Sequence, residues 1–268
     1  MYSLTAVLAK NHLRSIFRDR VLYAVFGVAL IILLAVPSLS GFSMRQVQEL
    51  AITLSLSTIS SVLLVVTLLL GASSIWRDVE RRYTSSILTL PVSRASFLLS
   101  KFFSIVLFLL ICTLVLGLCS GVVILLAAST YPSDIPVHWG NIALVLIGDI
   151  LKYTILASFA LLLSTVSTSF YLPFFGTLVI FFCGSASQEV FDYLSGQFGQ
   201  DVSPLLMKVI TLAYYLLPNF SSFDFQIQAV YGLSVSLEGM VLTLCYGLIY
   251  TGILLGIAIF AFERRELP

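Results

Sequence analysis

Charge is scarce in this sequence. Only 10% of its residues are Asp, Glu, Lys or Arg, against about a quarter in a soluble domain. The formal net charge is +1, so there is no basic excess to hold nucleic acid and no such partner is expected. Histidine is nearly absent: His12 and His138 stand alone, both outside the long apolar runs. Nothing matches G-x-x-x-x-G-K-[ST], so the chain lacks the phosphate-cradling loop needed to hydrolyse ATP itself. Cys112, Cys119, Cys183 and Cys245 sit in apolar runs without metal-ligand spacing, and no metal site is expected. Cys112 and Cys119 share a helix face but are held too far apart for a disulfide. Ser185, in Gly184-Ser185-Ala186-Ser187, has no intramembrane His or Lys placed to activate it, and reads as small-residue helix packing rather than as a nucleophile. No paired intramembrane carboxylates suggest an aspartyl protease.

What is abundant is apolar sequence. The chain is 59% hydrophobic with a mean hydropathy of +1.06. The apolar runs are uninterrupted and longer than the roughly 9–11 residues of a barrel strand, so an all-α integral membrane protein is expected. Spans are predicted at about 21–39 (ending near Pro37), 50–75, 97–128, 141–166, 171–187 and 238–262. Residues 188–237 form the ambiguous connection. Glu189, Asp192 and Asp201 mark an acidic loop there, and 204–217 is apolar but shorter than the roughly 20 residues a crossing needs. Six spans leave Lys10, Arg14, Arg18, Arg20, Arg77, Arg81, Arg82, Arg94, Lys101, Arg264 and Arg265 on one side, against Arg45 and Lys208 on the other. The positive-inside rule therefore favours six spans with both termini cytoplasmic, and an outer re-entrant or interfacial segment carrying Pro204, Lys208, Pro218 and Asn219.

Two stretches flank this core on the basic side. Residues 1–20 do not resemble a cleavable signal; Lys10, Arg14 and Arg18 recur on one helical face, which fits an interfacial helix or a basic tail. Residues 76–94 are the long charged segment between two spans. At about 100° per residue, Trp76, Val79, Tyr83, Ile87 and Leu90 make one apolar stripe, with Arg77, Asp78, Arg81 and Ser85 opposite and Pro91 ending the helix. A short amphipathic helix along the membrane surface is expected.

In the fourth span, Asp149 and Lys152 fall on one helix face at i, i+3. Such an intramembrane pair is either a mutually neutralised packing element or a proton relay or substrate contact.

The run Glu80-Arg81-Arg82-Tyr83-Thr84-Ser85-Ser86-Ile87-Leu88-Thr89-Leu90-Pro91-Val92-Ser93-Arg94, followed by Lys101, resembles the signature of ABC-2 type transporter permeases. Leu217-Pro218-Asn219-Phe220 and the terminal Phe262-Glu263-Arg264-Arg265-Glu266-Leu267 are also similar to that family. Tyr83 stands where the family often has Gly, so an unkinked helix is expected there. The resemblance implies that 76–94 is a coupling helix, with Trp76, Arg77, Val79, Glu80, Arg81, Tyr83, Thr84, Pro91 and Arg94 serving contact with a separate cytoplasmic ATP-binding subunit. It implies two such ATPases, binding ATP and Mg that this chain does not bind, and a second permease chain, identical or related. The setting would be a bacterial or archaeal cell membrane and the activity mostly export. The rival readings are an ion-coupled secondary transporter or channel built on Asp149 and Lys152, and a non-transporting scaffold or sensor. The first would require inverted repeats, and none is evident between 21–128 and 141–262.

Overall fold

The computed structural model describes residues 2–43, 46–80, 93–130, 136–196 and 203–265. Nine α-helices occur among them: α1 (Tyr2–Ile16), α2 (Arg20–Gly41), α3 (Val47–Glu80), α4 (Arg94–Thr130), α5 (Trp139–Val166), α6 (Tyr171–Ser195), α7 (Pro204–Leu216), α8 (Gln226–Tyr231) and α9 (Leu237–Glu263). A single 3-10 turn, Ser221–Phe223, lies between α7 and α8. Six of the helices, α2 to α6 and α9, are long and apolar enough to cross a membrane. The starts are capped locally. Asp19 accepts the amide of Val21 at α2, Ser93 that of Ser96 at α4, and Ser236 that of Gly239 at α9, each satisfying an amide that a helix start leaves free.

Helix α5 is the post about which the others stand, packing on α3, α9, α6 and α4. Its Tyr153, Ile155, Leu156, Ala157, Ala160 and Leu161 are at most 1% exposed. Gly71 on α3 lies directly against the Cβ of Ala160, so no larger residue fits and the two backbones approach closely. Helix α1 lies across α4, where the Ser104 hydroxyl donates to the Ala9 carbonyl at 2.9 Å. The side chains pointing outward are mostly apolar, Leu34 and Leu118 among them, as a bilayer requires.

Several boundaries differ from the sequence expectation. Pro37 does not end the first span; α2 continues to Gly41, because a proline near the last turn forfeits one hydrogen bond without stopping the chain. Helix α6 runs on to Ser195, so Glu189 and Asp192 belong to its last turns rather than to a loop. No breaker precedes Gly196. Helix α3 is likewise unbroken through Glu80, so Trp76, Arg77, Val79 and Glu80 close the second span's own helix instead of opening a separate one. The rest of the 76–94 segment up to Val92, including Arg81, Tyr83, Thr84 and Pro91, lies outside the described residues.

Helix α7 folds back along α6. Tyr214 stacks on Phe191 at 4.3 Å between ring centroids and donates to Gln188 at 3.0 Å. The chain then turns into the bundle. Pro218 places its carbonyl 2.5 Å from where a Cβ on Gly184 would lie, Phe223 does the same to Gly148, and the Phe223 ring stands 3.3 Å from the equivalent point on Gly247. These glycines lie on α6, α5 and α9, each about ten residues, or about 15 Å, in from its helix's outer end. Non-helical backbone is tolerated at such depth only because protein surrounds it.

Candidate functional site

The end of the bundle that carries both termini is built on basic side chains and backbone carbonyls. Arg94, the first residue of α4, sends one guanidinium nitrogen to the carbonyls of Phe262, Glu263 and Arg265 at 3.1, 2.9 and 2.7 Å. These close the end of α9, where unpaired carbonyls and the helix dipole both favour a cation. Arg265 repeats the device one helix further on, donating to the carbonyls of Ser164, Thr165 and Ser167 at 3.3, 2.7 and 2.9 Å at the end of α5. From there the Ser164 hydroxyl donates to the Ala72 carbonyl and accepts from the Trp76 amide, both at 3.3 Å. The closing turns of α3 are thereby joined through α5 and α9 to the opening of α4. The indole of Trp76 packs on Phe170.

Beside this relay sits a buried ion pair. Lys101 is 6% exposed, and its ammonium lies 2.6 Å from an Asp78 carboxylate oxygen. It also donates to the Ser74 carbonyl and stands over the Phe97 ring at 5.5 Å. The ring of His12, from α1, meets Phe97 edge-on at 5.7 Å. Burial, helped by the nearby Lys101 charge and opposed by Asp78, pushes His12 down to about 4, so it is neutral at physiological pH. A cavity of about 100 Å³ opens among His12, Asp19, Arg77, Asp78 and Lys101. Arg77 and Asp19 form a second, looser ion pair at its rim, at 3.4 Å.

The midspan pair behaves differently. Asp149 and Lys152 share α5 but form no ion pair. Asp149 is 5% exposed and accepts from the Ser60 hydroxyl at 3.1 Å; Ser60 in turn lies 2.7 Å from the Tyr153 hydroxyl. Its other oxygen is buried without a hydrogen-bond partner among the described residues. Lys152 turns to rings instead, 5.5 Å from the centroid of Tyr153 and 5.4 Å from that of Phe181. The i, i+3 spacing puts the two side chains on one face, but no direct ion pair closes between them, because Ser60 and the aromatic rings lie nearer to hand.

On the opposite end, Pro204 begins α7 and Lys208 is exposed on it. Pro218 and Asn219 are packed inside. Asn219 donates to Gln188 at 2.7 Å, and its amide donates to the Tyr246 hydroxyl at 3.0 Å. Ser185 is engaged through its carbonyl, which accepts from Ser221. His12 and His138 lie at opposite ends of the bundle, away from it.

Sequence reasoning missed the pairing of Asp78 with Lys101, the carbonyl targets of Arg94 and Arg265, and the role of Gly148 and Gly247 beside the inserted segment; Gly184 it read as close packing, without naming what packs there. Arg94, Arg265 and Lys101 were visible as members of the motifs, but a motif names a donor without naming what receives it. Among curated proteins none matches the sequence. A family model described as ABC-2 family transporter protein matches residues 6–267. With that match covering nearly the whole chain, and six membrane-length helices in the fold, the chain belongs to the ABC-2 transporter family.

Proposed function

We propose that this chain is the pathway-forming subunit of an ATP-driven exporter in a bacterial or archaeal cell membrane, with both termini cytoplasmic. Residues 76–94 dock on a separate ATP-binding subunit; two such subunits and a second permease chain, identical or related, complete the assembly. ATP and Mg are bound by the partner ATPases. Trp76, Arg77, Val79 and Glu80 at the end of α3, Arg94 at the start of α4, and Arg81, Tyr83, Thr84 and Pro91 between them make the docking segment.

The observation that carries this reading is the relay of Arg94 and Arg265. The two helices that bracket the segment, α3 and α4, are bonded at that same end to α5 and α9. Displacement of the segment by ATPase closure is then delivered to four spans together, which is what alternating access requires. Arg94 acts as a positioning residue in this scheme, since one of its guanidinium nitrogens is engaged by the carbonyls that close α9.

Purification of the tagged chain from native membranes in mild detergent tests the reading. A copurifying Walker-motif ATPase at about one per permease, lost on charge reversal of Glu80 and Arg81, supports it. An intact, folded chain recovered without any ATPase overturns it and moves the ion-coupled reading forward, for which the unpartnered Asp149 oxygen is the supporting observation.

A further inference from the structure

A second lined space lies on the membrane-facing side of the bundle. Between α2 and α4 runs an apolar groove of about 310 Å³, walled by Phe17, Phe26, Leu30, Phe108, Cys112 and Val115. Phe17 and Phe26 meet Phe108 edge-on at 5.1 and 6.3 Å, and so form its floor. On α2 the groove extends from Leu22 to Leu30, about 12 Å at about 1.5 Å per residue, close to the depth of one leaflet of a hydrocarbon core about 30 Å thick. It opens outward, with Leu30 at 43% and Val115 at 49% exposure. At the end carrying the termini it meets the polar cavity described above: Ile16 and Asp19 line both.

Charge marks that junction. Arg14, Arg18 and Arg20 are exposed around the α1–α2 corner, and the Arg77 side chain is 46% exposed at the cavity rim. The one carboxylate lining both spaces, Asp19, is already occupied by Arg77 at 3.4 Å and by the Val21 amide at 3.1 Å. The corner therefore keeps an excess of positive charge where the groove reaches the bilayer surface. A groove of leaflet depth, apolar along its length and cationic at its mouth, has the shape and polarity of a two-part amphiphile.

We propose that this groove and its arginine corner bind one anionic phospholipid from the leaflet on the side of the termini. An acyl chain lies between α2 and α4, and the phosphate sits against the α1–α2 corner. Lipid tails are as apolar as the groove, so tail burial supplies no selectivity. Retention of one lipid over others comes from the arginines, as for basic segments at anionic membranes. The bound lipid fastens the α1–α2 corner to the bundle, since Ile16, Phe17 and Asp19 line the groove there. The proposal does not depend on export or on ATPase docking.

The test is native mass spectrometry of the full chain released from nanodiscs of mixed phosphatidylcholine and phosphatidylglycerol. The wild type is expected to retain phosphatidylglycerol in preference to phosphatidylcholine. Arg18→Gln with Arg20→Gln should abolish that preference, and Val115→Trp, which fills the groove from its lipid side, should abolish retention itself. Val65→Trp, in the neighbouring apolar groove of about 520 Å³ between α2 and α3, should leave both unchanged, and loss of retention there would move the lipid to that groove and overturn the proposal. Wild-type retention in proportion to bilayer composition overturns the proposal, as does undiminished retention in Val115→Trp. A lipid-free dimer that Val115→Trp dissociates would assign the groove to a second copy instead. Should Val115→Trp fail to fold, the arginine variant decides alone, because Arg18 precedes α2 and Arg20 is exposed at its first residue.

Discussion

The terminal end of the bundle and its middle level hold their polar groups in opposite ways. At the terminal end, charge is met by opposite charge or by helix-end carbonyls: Lys101 with Asp78, Arg94 with α9, Arg265 with α5. At the middle level, Asp149 and Lys152 are neighbours along one helix yet close no ion pair, and the tightest contacts are between glycines and uncharged backbone. Proximity in sequence therefore predicts less than proximity in the fold. The pair that spacing singled out is divided between Ser60 and two aromatic rings. The pair that forms joins α3 to α4, with the whole 81–92 stretch between its members.

The contrast can be broken most forcefully at Lys101. Removing one partner of a buried ion pair leaves the other uncompensated, at a cost of about 3–5 kcal/mol, whereas replacing both is often close to neutral. Lys101→Met and Asp78→Asn should each lower the denaturant midpoint in detergent sharply, and the double variant should recover most of the loss. Additive losses would show that the two charges act separately.

A smaller effect is expected at the middle level from Gly184→Ala. Its new Cβ would meet the Pro218 carbonyl at 2.5 Å, and backbone cannot swing aside as a side chain can. Overpacking of this kind costs about 1–3 kcal/mol. Gly252→Ala, with nothing within 4 Å, serves as the control and should hold or raise the thermal midpoint. Equal behaviour of the two would mean that the inserted segment is not clamped at this level.

Next comes the midspan couple. Lys152→Met gives up contacts with two rings, worth about 0.5–2 kcal/mol each, and Asp149→Asn alters one hydrogen bond to Ser60. A double-mutant cycle should show a coupling below about 1 kcal/mol, far under that of the Lys101–Asp78 cycle. Recovery of stability in the double variant would erase the distinction between the two regions.

The last test concerns an effect that shows only in acid, at His12. Its native value of about 4 lies below the ordinary 6.5, so the unfolded chain binds the extra proton in that window. His12 stabilises fully above about 6.5, and that contribution drains away as pH falls towards 4. The wild type should lose more stability than His12→Gln between those limits; parallel curves would place His12 in water.

Six spans were legible because a bilayer imposes length and apolarity on every crossing, whatever else the helix does. The halt of the chain at 204–217 was legible for the same reason, being too short to cross. Pro37, Glu189 and Asp192 misled because proline and charge are read as punctuation, yet near a helix end neither suffices to stop hydrogen bonding. Gly148 and Gly247 carried no signal, each being a single glycine in an apolar helix; Gly184 was legible as small-residue packing, but only the fold shows that Pro218 and Phe223 pack against all three. The stretch most informative by motif, 81–92, lies outside the described residues, so the docking proposed for it rests on resemblance and on the relay at its borders.

The relay also bears on how this protein can change over time. Arg94 and Arg265 donate their hydrogen bonds to main-chain oxygens, and every residue type supplies one of those. Drift at Thr165, Ser167 or Glu263 leaves the receiving oxygen in place, whereas loss of either arginine empties three contacts at once. Substitutions at the two ends of each bond need not be matched, and methods that infer contact from paired variation would pass over these ties.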